Sequence, residues 1–273
     1  MKHPQDSSHS ASRPDSDETA GFRLRQSQND FLSTVSHEFR TPLTSIKGFA
    51  DTLLKHGDQL SREQKTQFLT IIKAQADRLI RLTENILTVS KLGAEKQQFS
   101  FRPVDLALVV ERVVASVQAK TTSQREITVA IPPGLPPVWA DVDALEQVLM
   151  NLVDNAVKYS QPPNPIRVRG SLPPDDTTQI LIDITDQGVG IAADQQTKLF
   201  TRFHRIESPL TQSVDGTGLG LYITRSLTEA MGGQITLQSQ PGAGSTFSLR
   251  FPAASPEHQA AHRRRLQGGE TAS

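Results

Sequence analysis

The sequence predicts two architectures in tandem: an all-α antiparallel helical hairpin that pairs into a four-helix bundle, then an α+β two-layer sandwich. Three observations predict them. Apolar residues recur at helical spacing in two runs, Leu24 to Leu53 and Phe68 to Val89, separated by a short turn. Near Gly93 that pattern ends, and helix-like and strand-like segments follow without strict alternation, which favours helices layered on a largely antiparallel sheet. The length, 273 residues, suits one large or two small domains. The expected division is a disordered tail at 1–22, the hairpin at 23–94, the sandwich at 95–253 and a second disordered tail at 254–273.

Residues 1–20 are rich in Ser, Asp, Pro and His and have almost nothing to bury, which predicts disorder. Leu24, Phe31, Val35, Phe39, Leu43, Ile46, Phe49 and Leu53 then form one helical stripe. Gly57 and Asp58 mark a turn, and Ser61-Arg62-Glu63-Gln64 has the form of a capping box that opens a second helix. There Phe68, Ile72, Gln75, Leu79, Leu82, Ile86 and Val89 follow a near-heptad spacing. Two such helices bury their stripes poorly alone, so a homodimeric four-helix bundle is the expected remedy.

A short strand is expected at Phe99–Pro103, then a helix capped by Asp105 with Leu106, Val109, Val110, Val113, Val114 and Val117 on one side. Glu126–Ile131 alternates like a strand, and the Pro- and Gly-rich run 132–137 is a loop. After a brief strand at Val138 and Trp139, Asp141 or Asp143 caps the helix carrying Asn151 and Asn155. Strands are predicted at Ile166–Arg169 and Ile180–Thr185, a helix near Gly218, and a closing hairpin from Gln234–Gln240 and Ser245–Phe251. Arg263-Arg264-Arg265 reads as part of a solvated end, and the chain has no internal repeat.

Formal net charge is zero, which gives no global argument for nucleic acid or a membrane surface. There is no cysteine, so disulfides and thiolate metal sites are excluded. No run approaches the roughly 18 apolar residues of a membrane span, and residues 1–19 lack the apolar core of a signal peptide. The expected location is cytoplasmic.

The candidate chemistry begins at Ser36-His37-Glu38-Phe39-Arg40-Thr41-Pro42-Leu43. Residues two apart on a helix lie about 200° apart. Val35 and Phe39 are on the buried stripe, so His37 points outward, with Thr41 on roughly the same face. Glu38 can accept the proton of one ring nitrogen while the other acts as nucleophile. With an unperturbed pKa of roughly 6.5, much of the imidazole is neutral at pH 7. Pro42 costs the Glu38 carbonyl its helical partner, and a local bend beside His37 is expected. On the residues alone, His37 also reads as a plain surface histidine and Pro42 as the first turn of a new helix.

Asn151 and Asn155 are neighbours on one helix face, and Lys158 extends it. Solvated amides are one reading. Coordination of Mg²⁺ and phosphate is the other, since Mg²⁺ takes oxygen ligands and keeps several waters. Asp186 ends a strand and is followed by Gly188 and Gly190, which permit a tight turn. A carboxylate there can accept the exocyclic amine of adenine. Gly216-Thr217-Gly218-Leu219-Gly220 opens a helix whose free N–H groups suit phosphate. No strand leads directly into it, so it is not a dinucleotide fingerprint. A nucleophile and a nucleotide site on separate segments suggest phosphoryl transfer to a protein side chain.

The segment from Ser36 to Leu43 resembles the phosphoacceptor motif of bacterial sensor histidine kinases of two-component systems. The three later segments, in their order and spacing, resemble the boxes of the Bergerat ATPase fold. Histidine kinases share that fold with type II topoisomerases, mismatch-repair ATPases and a heat-shock chaperone family. Phe200-Thr201-Arg202-Phe203-His204-Arg205 resembles the phenylalanine box of the kinase branch. The match covers roughly residues 28–252.

The resemblance implies that His37 is phosphorylated, that Glu38 is the general base, and that Thr41 orients a water for dephosphorylating the partner regulator. It makes Asn155 the principal Mg²⁺ ligand and puts Asn151 and Lys158 on the phosphates of ATP. Tyr159 stacks near adenine and Asp186 reads its amine. Gly188, Gly190, Gly216, Thr217, Gly218, Leu219 and Gly220 line the nucleotide. Residues 192–215 form a mobile lid, with Arg202 or Arg205 near the γ-phosphate; Ser208, Thr211, Gln212 and Ser213 fit such a lid. Gly242-Ala243-Gly244-Ser245 matches a further glycine motif, read as a structural turn. The implied partners are a cognate response regulator and a second copy of the chain. A sensing module would belong to a longer chain or to a separate input protein. Two other readings are an ATP-hydrolysing clamp or chaperone, whose pattern has glutamate where Asn151 stands, and a non-catalytic dimeric scaffold.

Overall fold

The computed structural model describes residues 16–93, 98–120, 126–206, 216–258 and 260, with backbone alone at 16–31, 93 and 120. The chain packs as two compact units that divide between Arg81 and Leu82.

The first unit is a helical hairpin. Helix α1 runs Ser16–His56, a single 3₁₀ turn follows at Gly57–Gln59, and helix α2 runs Arg62–Gly93 into the second unit. Helix α1 starts at Ser16, before the end of the expected tail at 22. A helix propagates past its apolar stripe at little cost once nucleated. The helix runs unbroken through Pro42, which is buried, so this proline is internal rather than the start of a new helix. The capping box forms reciprocally: Gln64 N–H donates to Ser61 Oγ at 3.2 Å and Ser61 N–H to Gln64 Oε1 at 2.9 Å. Phe49 and Phe68 pack across the hairpin with ring centroids 5.1 Å apart. The stripes are only half covered, and Leu32, Leu43, Leu54, Leu69 and Ile80 stay 52–84% exposed.

The second unit is a sheet with helices layered on one face. Its elements are β1 (Arg102–Val104), α3 (Leu106–Lys120), β2 (Ile127–Ala130), β3 (Val138–Ala140), α4 (Val142–Tyr159), β4 (Ile166–Ser171), β5 (Gln179–Asp186), α5 (Ala193–Gln196), α6 (Gly220–Ala230), β6 (Gln234–Gln240) and β7 (Gly244–Pro252). The main sheet has order β2-β4-β5-β7-β6; β2 pairs parallel with β4 and every other pairing is antiparallel. Strand β5 alternates strictly, with Ile180, Ile182 and Ile184 buried. They meet the apolar faces of α4 (Leu145, Leu149, Leu152) and α6 (Ile223, Leu227), all essentially inaccessible.

The strand expected at Phe99–Pro103 lies later and in a separate two-stranded sheet, with Pro103 opposite Trp139. Pairing with β3 selects Arg102–Val104, while Phe99 and Phe101 instead stack towards Trp139, with Phe101 and Trp139 centroids 6.2 Å apart. Asp105 caps α3 through Ala107 N–H at 2.9 Å. For α4 the cap is Asp141, which accepts from Asp143 and Ala144 N–H at 3.1 and 3.0 Å. No helix among the described residues is long and apolar enough to cross a membrane. Arg263–Arg265 lie outside the described residues.

Candidate functional site

In the first unit, the apolar periodicity of α1 turns Val35 and Phe39 inward and leaves His37 exposed. Glu38, next along, is half-buried, and its Oε2 lies 3.1 Å from Nη2 of Arg78 on α2. Arg78 keeps 16% of its side chain exposed and Glu38 27%. The carboxylate beside the imidazole is thus anchored from the opposite helix. Sequence reasoning missed Arg78, because only the hairpin register brings positions forty apart together. Thr41 shares the outward face, and its hydroxyl donates to the His37 carbonyl at 3.4 Å. An exposed imidazole beside an anchored carboxylate can act as a nucleophile with a neighbouring proton acceptor.

In the second unit, α4 carries Asn151, Asn155, Lys158 and Tyr159. Asn151 Nδ2 donates to the Gly220 carbonyl at 3.4 Å, which puts the amide beside the start of α6. Among the described residues no side chain caps that end of α6, an arrangement in which first-turn N–H groups suit an anion. Asn155 sits one turn further on and is half-buried. Lys158 pairs with Asp154 at 2.6 Å.

Asp186 closes β5 and is 6% exposed. Burial pushes its carboxyl above the ordinary value, against backbone hydrogen bonds from Gly188 and Ser245 that favour the charged form. The Gly188 N–H reaches Asp186 Oδ1 at 2.7 Å. The turn docks on α4, where the Val189 N–H donates to the Tyr159 carbonyl at 3.2 Å. A Cβ at Gly188 would collide with that carbonyl, and one at Gly190 (φ +64°) with the Gln240 carbonyl. Tyr159 itself is half-buried, and burial raises its hydroxyl pKa.

The glycine run meets the phenylalanine segment backbone to backbone. Gly218 adopts φ +68°, and a Cβ there would lie 2.7 Å from the Phe203 carbonyl carbon, while Phe203 holds φ +60°. Leu219 is fully buried and anchors the run. Thr217 Oγ1 accepts from Leu219 N–H at 3.3 Å and from Asn85 Nδ2, near the end of α2, at 3.4 Å. Among the described residues nothing lies within 4 Å of where a Cβ at Gly216 would go.

The two candidate arginines part company. Arg202 Nη2 donates to the Tyr222 hydroxyl at 2.8 Å, with its guanidinium 4.8 Å from that ring's centre, whereas the Arg205 charge acts on Tyr159. Ser208, Thr211, Gln212 and Ser213 lie outside the described residues. Tyr159, Gly188, Asp186 and Arg205 thus gather at the C-terminal end of α4, while Asn151 meets Gly220 nearer the middle of the same helix.

Two family models match, each on its own unit's chemistry. Residues 27–95 match the His Kinase A (phospho-acceptor) domain, and residues 140–255 the histidine kinase-, DNA gyrase B- and HSP90-like ATPase. This chain belongs to the sensor histidine kinases. It is 32% identical over 252 residues to the sensor-like histidine kinase ycf26 of Porphyra purpurea, an alignment covering 88% of this chain and 38% of that one. The chain therefore spans less than half the length of that relative. Among solved structures, full-length ShkA in complex with AMPPNP aligns with a TM-score of 0.60 at 30% identity, over 83% of this chain and 46% of that one. The histidine kinase ThkA in complex with the response regulator protein TrrA aligns with a TM-score of 0.64 at 24% identity, over 86% and 64% of the two chains. That last likeness establishes the shared fold of a histidine kinase chain.

Proposed function

We propose that this chain is an ATP-dependent protein-histidine kinase that phosphorylates its own His37 and passes the phosphoryl group to an aspartate of a response regulator. One observation carries the reading: a solvent-facing imidazole beside an anchored carboxylate, in the same chain as a buried Asp186 and an uncapped, glycine-rich start of α6.

His37 attacks the γ-phosphorus of ATP: a nitrogen–phosphorus bond forms, and the bond to the bridging oxygen of ADP breaks. Glu38, oriented by Arg78, takes the proton of the other ring nitrogen. Asp186 accepts the adenine amine, Tyr159 stacks beside the base, and Asn151, Lys158 and the glycine run 216–220 take the phosphates. Lys158 exchanges its Asp154 partner for phosphate when nucleotide binds. Of the two arginines, Arg205 is assigned to the nucleotide, because its charge acts on Tyr159 while Arg202 is engaged with Tyr222. The half-buried amide of Asn155 suits Mg²⁺, which neutralises phosphate charge and needs few protein ligands.

The half-covered stripes of the hairpin support a homodimeric four-helix bundle. Thr41 would orient a hydrolytic water on the regulator after giving up its bond to the His37 carbonyl. Functional domains at 23–94 and 95–253, a cytoplasmic location and a sensing module supplied by a longer chain or a separate input protein belong to the same proposal. Asn151 lacks the basicity an ATPase clamp needs to activate water, and nothing among the described residues favours a bare scaffold.

The test is incubation with γ-labelled ATP and Mg²⁺. Acid-labile, alkali-stable label is expected on the wild-type chain and none on His37→Gln. Equal labelling of the variant refutes the assignment of His37.

A further inference from the structure

Between the Asp186 turn and the β6–β7 hairpin lies a hydrogen-bonded clamp that the kinase reading does not use. Ser239, on β6, has every hydrogen-bonding capacity of its hydroxyl filled. It accepts the Ile191 N–H at 2.9 Å, lies 2.9 Å from the Gly244 carbonyl, and lies 2.9 Å from Ser245 Oγ. One arrangement satisfies all three contacts: Ser239 donates to Gly244, and Ser245 donates to Ser239. Gln196, at the end of α5, crosses the same junction. Its Nε2 donates to the Ile191 carbonyl at 2.9 Å and to the Ser239 carbonyl at 3.0 Å. The Gly242 N–H, in the β6–β7 turn, adds a direct bond to the Val189 carbonyl at 2.8 Å.

The clamp acts on Asp186 from both sides. Ile191 and Val189 belong to the turn that carries Gly188, whose N–H holds the Asp186 carboxylate. Ser245, hydrogen-bonded by its hydroxyl to Ser239, sits opposite Asp186 in the ladder and also binds that carboxylate through its backbone. Gly190 and Gly244 let the two segments approach so closely that a Cβ on either would strike the facing backbone. The carboxylate direction is thus set by a turn pinned at Ile191 by two side chains, Ser239 and Gln196.

We propose that Ser239 and Gln196 are positioning residues for the base end of the nucleotide site: they hold the 186–191 turn so that Asp186 points at an amine rather than a carbonyl of the base. Neither side chain touches the nucleotide; both act through Ile191. The inference rests on the ATP-dependent reading above. It assigns discrimination between adenine and guanine, whose substituents at the equivalent ring position differ as donor and acceptor, to the rigidity of this clamp.

The experiment uses the full chain with ATP and GTP as probes, and it measures nucleotide affinity by calorimetry and autophosphorylation rate against nucleotide concentration. Ser239→Ala leaves the Ile191 N–H without its acceptor, and Gln196→Leu removes both amide bonds at similar size. Each is expected to raise the KM for ATP roughly five- to tenfold with kcat within about twofold, and to narrow the ratio of ATP to GTP affinity. Ser239→Thr keeps the hydroxyl on a strand that accepts β-branching, and it is expected to restore the wild-type KM. Circular dichroism checks folding, and Gln196→Leu, at a half-buried site, carries the test if Ser239→Ala does not fold. An unchanged KM and an unchanged ATP to GTP ratio in both variants overturn the proposal, as does a Thr variant as impaired as the Ala one. A wild-type chain that binds no ATP overturns the kinase reading as well. A wild-type chain that binds ATP, with variants indistinguishable from it, overturns the clamp alone.

Discussion

Replacing Gly190, Gly242 and Gly216 one at a time by alanine separates two costs that most glycine substitutions mix. Gly216 needs no left-handed backbone, and no described residue lies within 4 Å of its Cβ position. Its alanine variant is expected to match the wild type or gain up to about 1 kcal/mol from a less flexible unfolded chain. Gly242 has φ +78° and the same open space, so its variant bears the left-handed strain of about 1–2 kcal/mol, less that unfolded-state gain, for a net loss near 1 kcal/mol. Gly190 has φ +64° and, in addition, a Cβ position that overlaps the Gln240 carbonyl and lies 3.0 Å from Pro241 Cα. These neighbours are backbone and cannot swing aside, which adds about 1–3 kcal/mol of overpacking. The expected order of loss is Gly190, then Gly242, then Gly216, with Gly190→Ala lower in stability than Gly216→Ala by roughly 2–5 kcal/mol. Urea unfolding followed by fluorescence reads the second unit alone, because Trp139 is the chain's single tryptophan and lies there. A Gly190→Ala variant within about 1 kcal/mol of Gly242→Ala refutes the argument, since only steric collision distinguishes the two sites.

Two further outcomes follow from buried polar groups. The carboxyl of Asp186 is raised above its ordinary value of 3.8 by burial, so the folded state binds its proton more tightly than the unfolded chain does. Ionised Asp186 therefore costs stability at neutral pH, and that cost is recovered as pH falls through the raised folded value towards the ordinary one. Asp186→Asn is expected to be no less stable than wild type at pH 7, to lose this part of the pH dependence in urea titrations at a series of pH values, and to lose ATP binding in calorimetry. The Thr224 hydroxyl, on α6, is fully buried with no hydrogen-bond partner among the described residues. Thr224→Val keeps the shape and removes the unpaired group, and urea unfolding is expected to show a gain of about 1 kcal/mol.

Much of the fold was legible because its signals are local. The stripe from Val35 to Leu53, the Ser61–Gln64 box, the Asp105 cap and the alternation of Ile180, Ile182 and Ile184 each need only a few neighbouring residues to be read. Two bounds moved for different reasons: helix α1 begins at Ser16 because propagation needs no apolar face, a local effect, whereas β1 lies at Arg102–Val104 because its partner β3, distant in the chain, selects the register. The candidate residues could be picked out one by one, since glycines before a helix, paired amides and a histidine beside a glutamate carry their chemistry in their type and spacing. Their grouping could not. Arg78 at Glu38, Phe203 against Gly218, Arg202 on Tyr222 and Gln196 with Ser239 join positions far apart in the chain, and each is set by packing rather than by spacing.

By itself, then, the amino-acid order determined where helices and strands form, which segments carry reactive or ligand-binding groups, and that two kinds of architecture follow one another. Tertiary structure alone decided which of those groups become neighbours: a carboxylate held by an arginine across a hairpin, and a turn pinned to the far hairpin of the sheet. Periodicity and caps act through hydrogen bonds and burial within a turn or two of the chain. Long-range partners are chosen by the register in which whole apolar faces come to rest, and no short stretch of residues contains that choice.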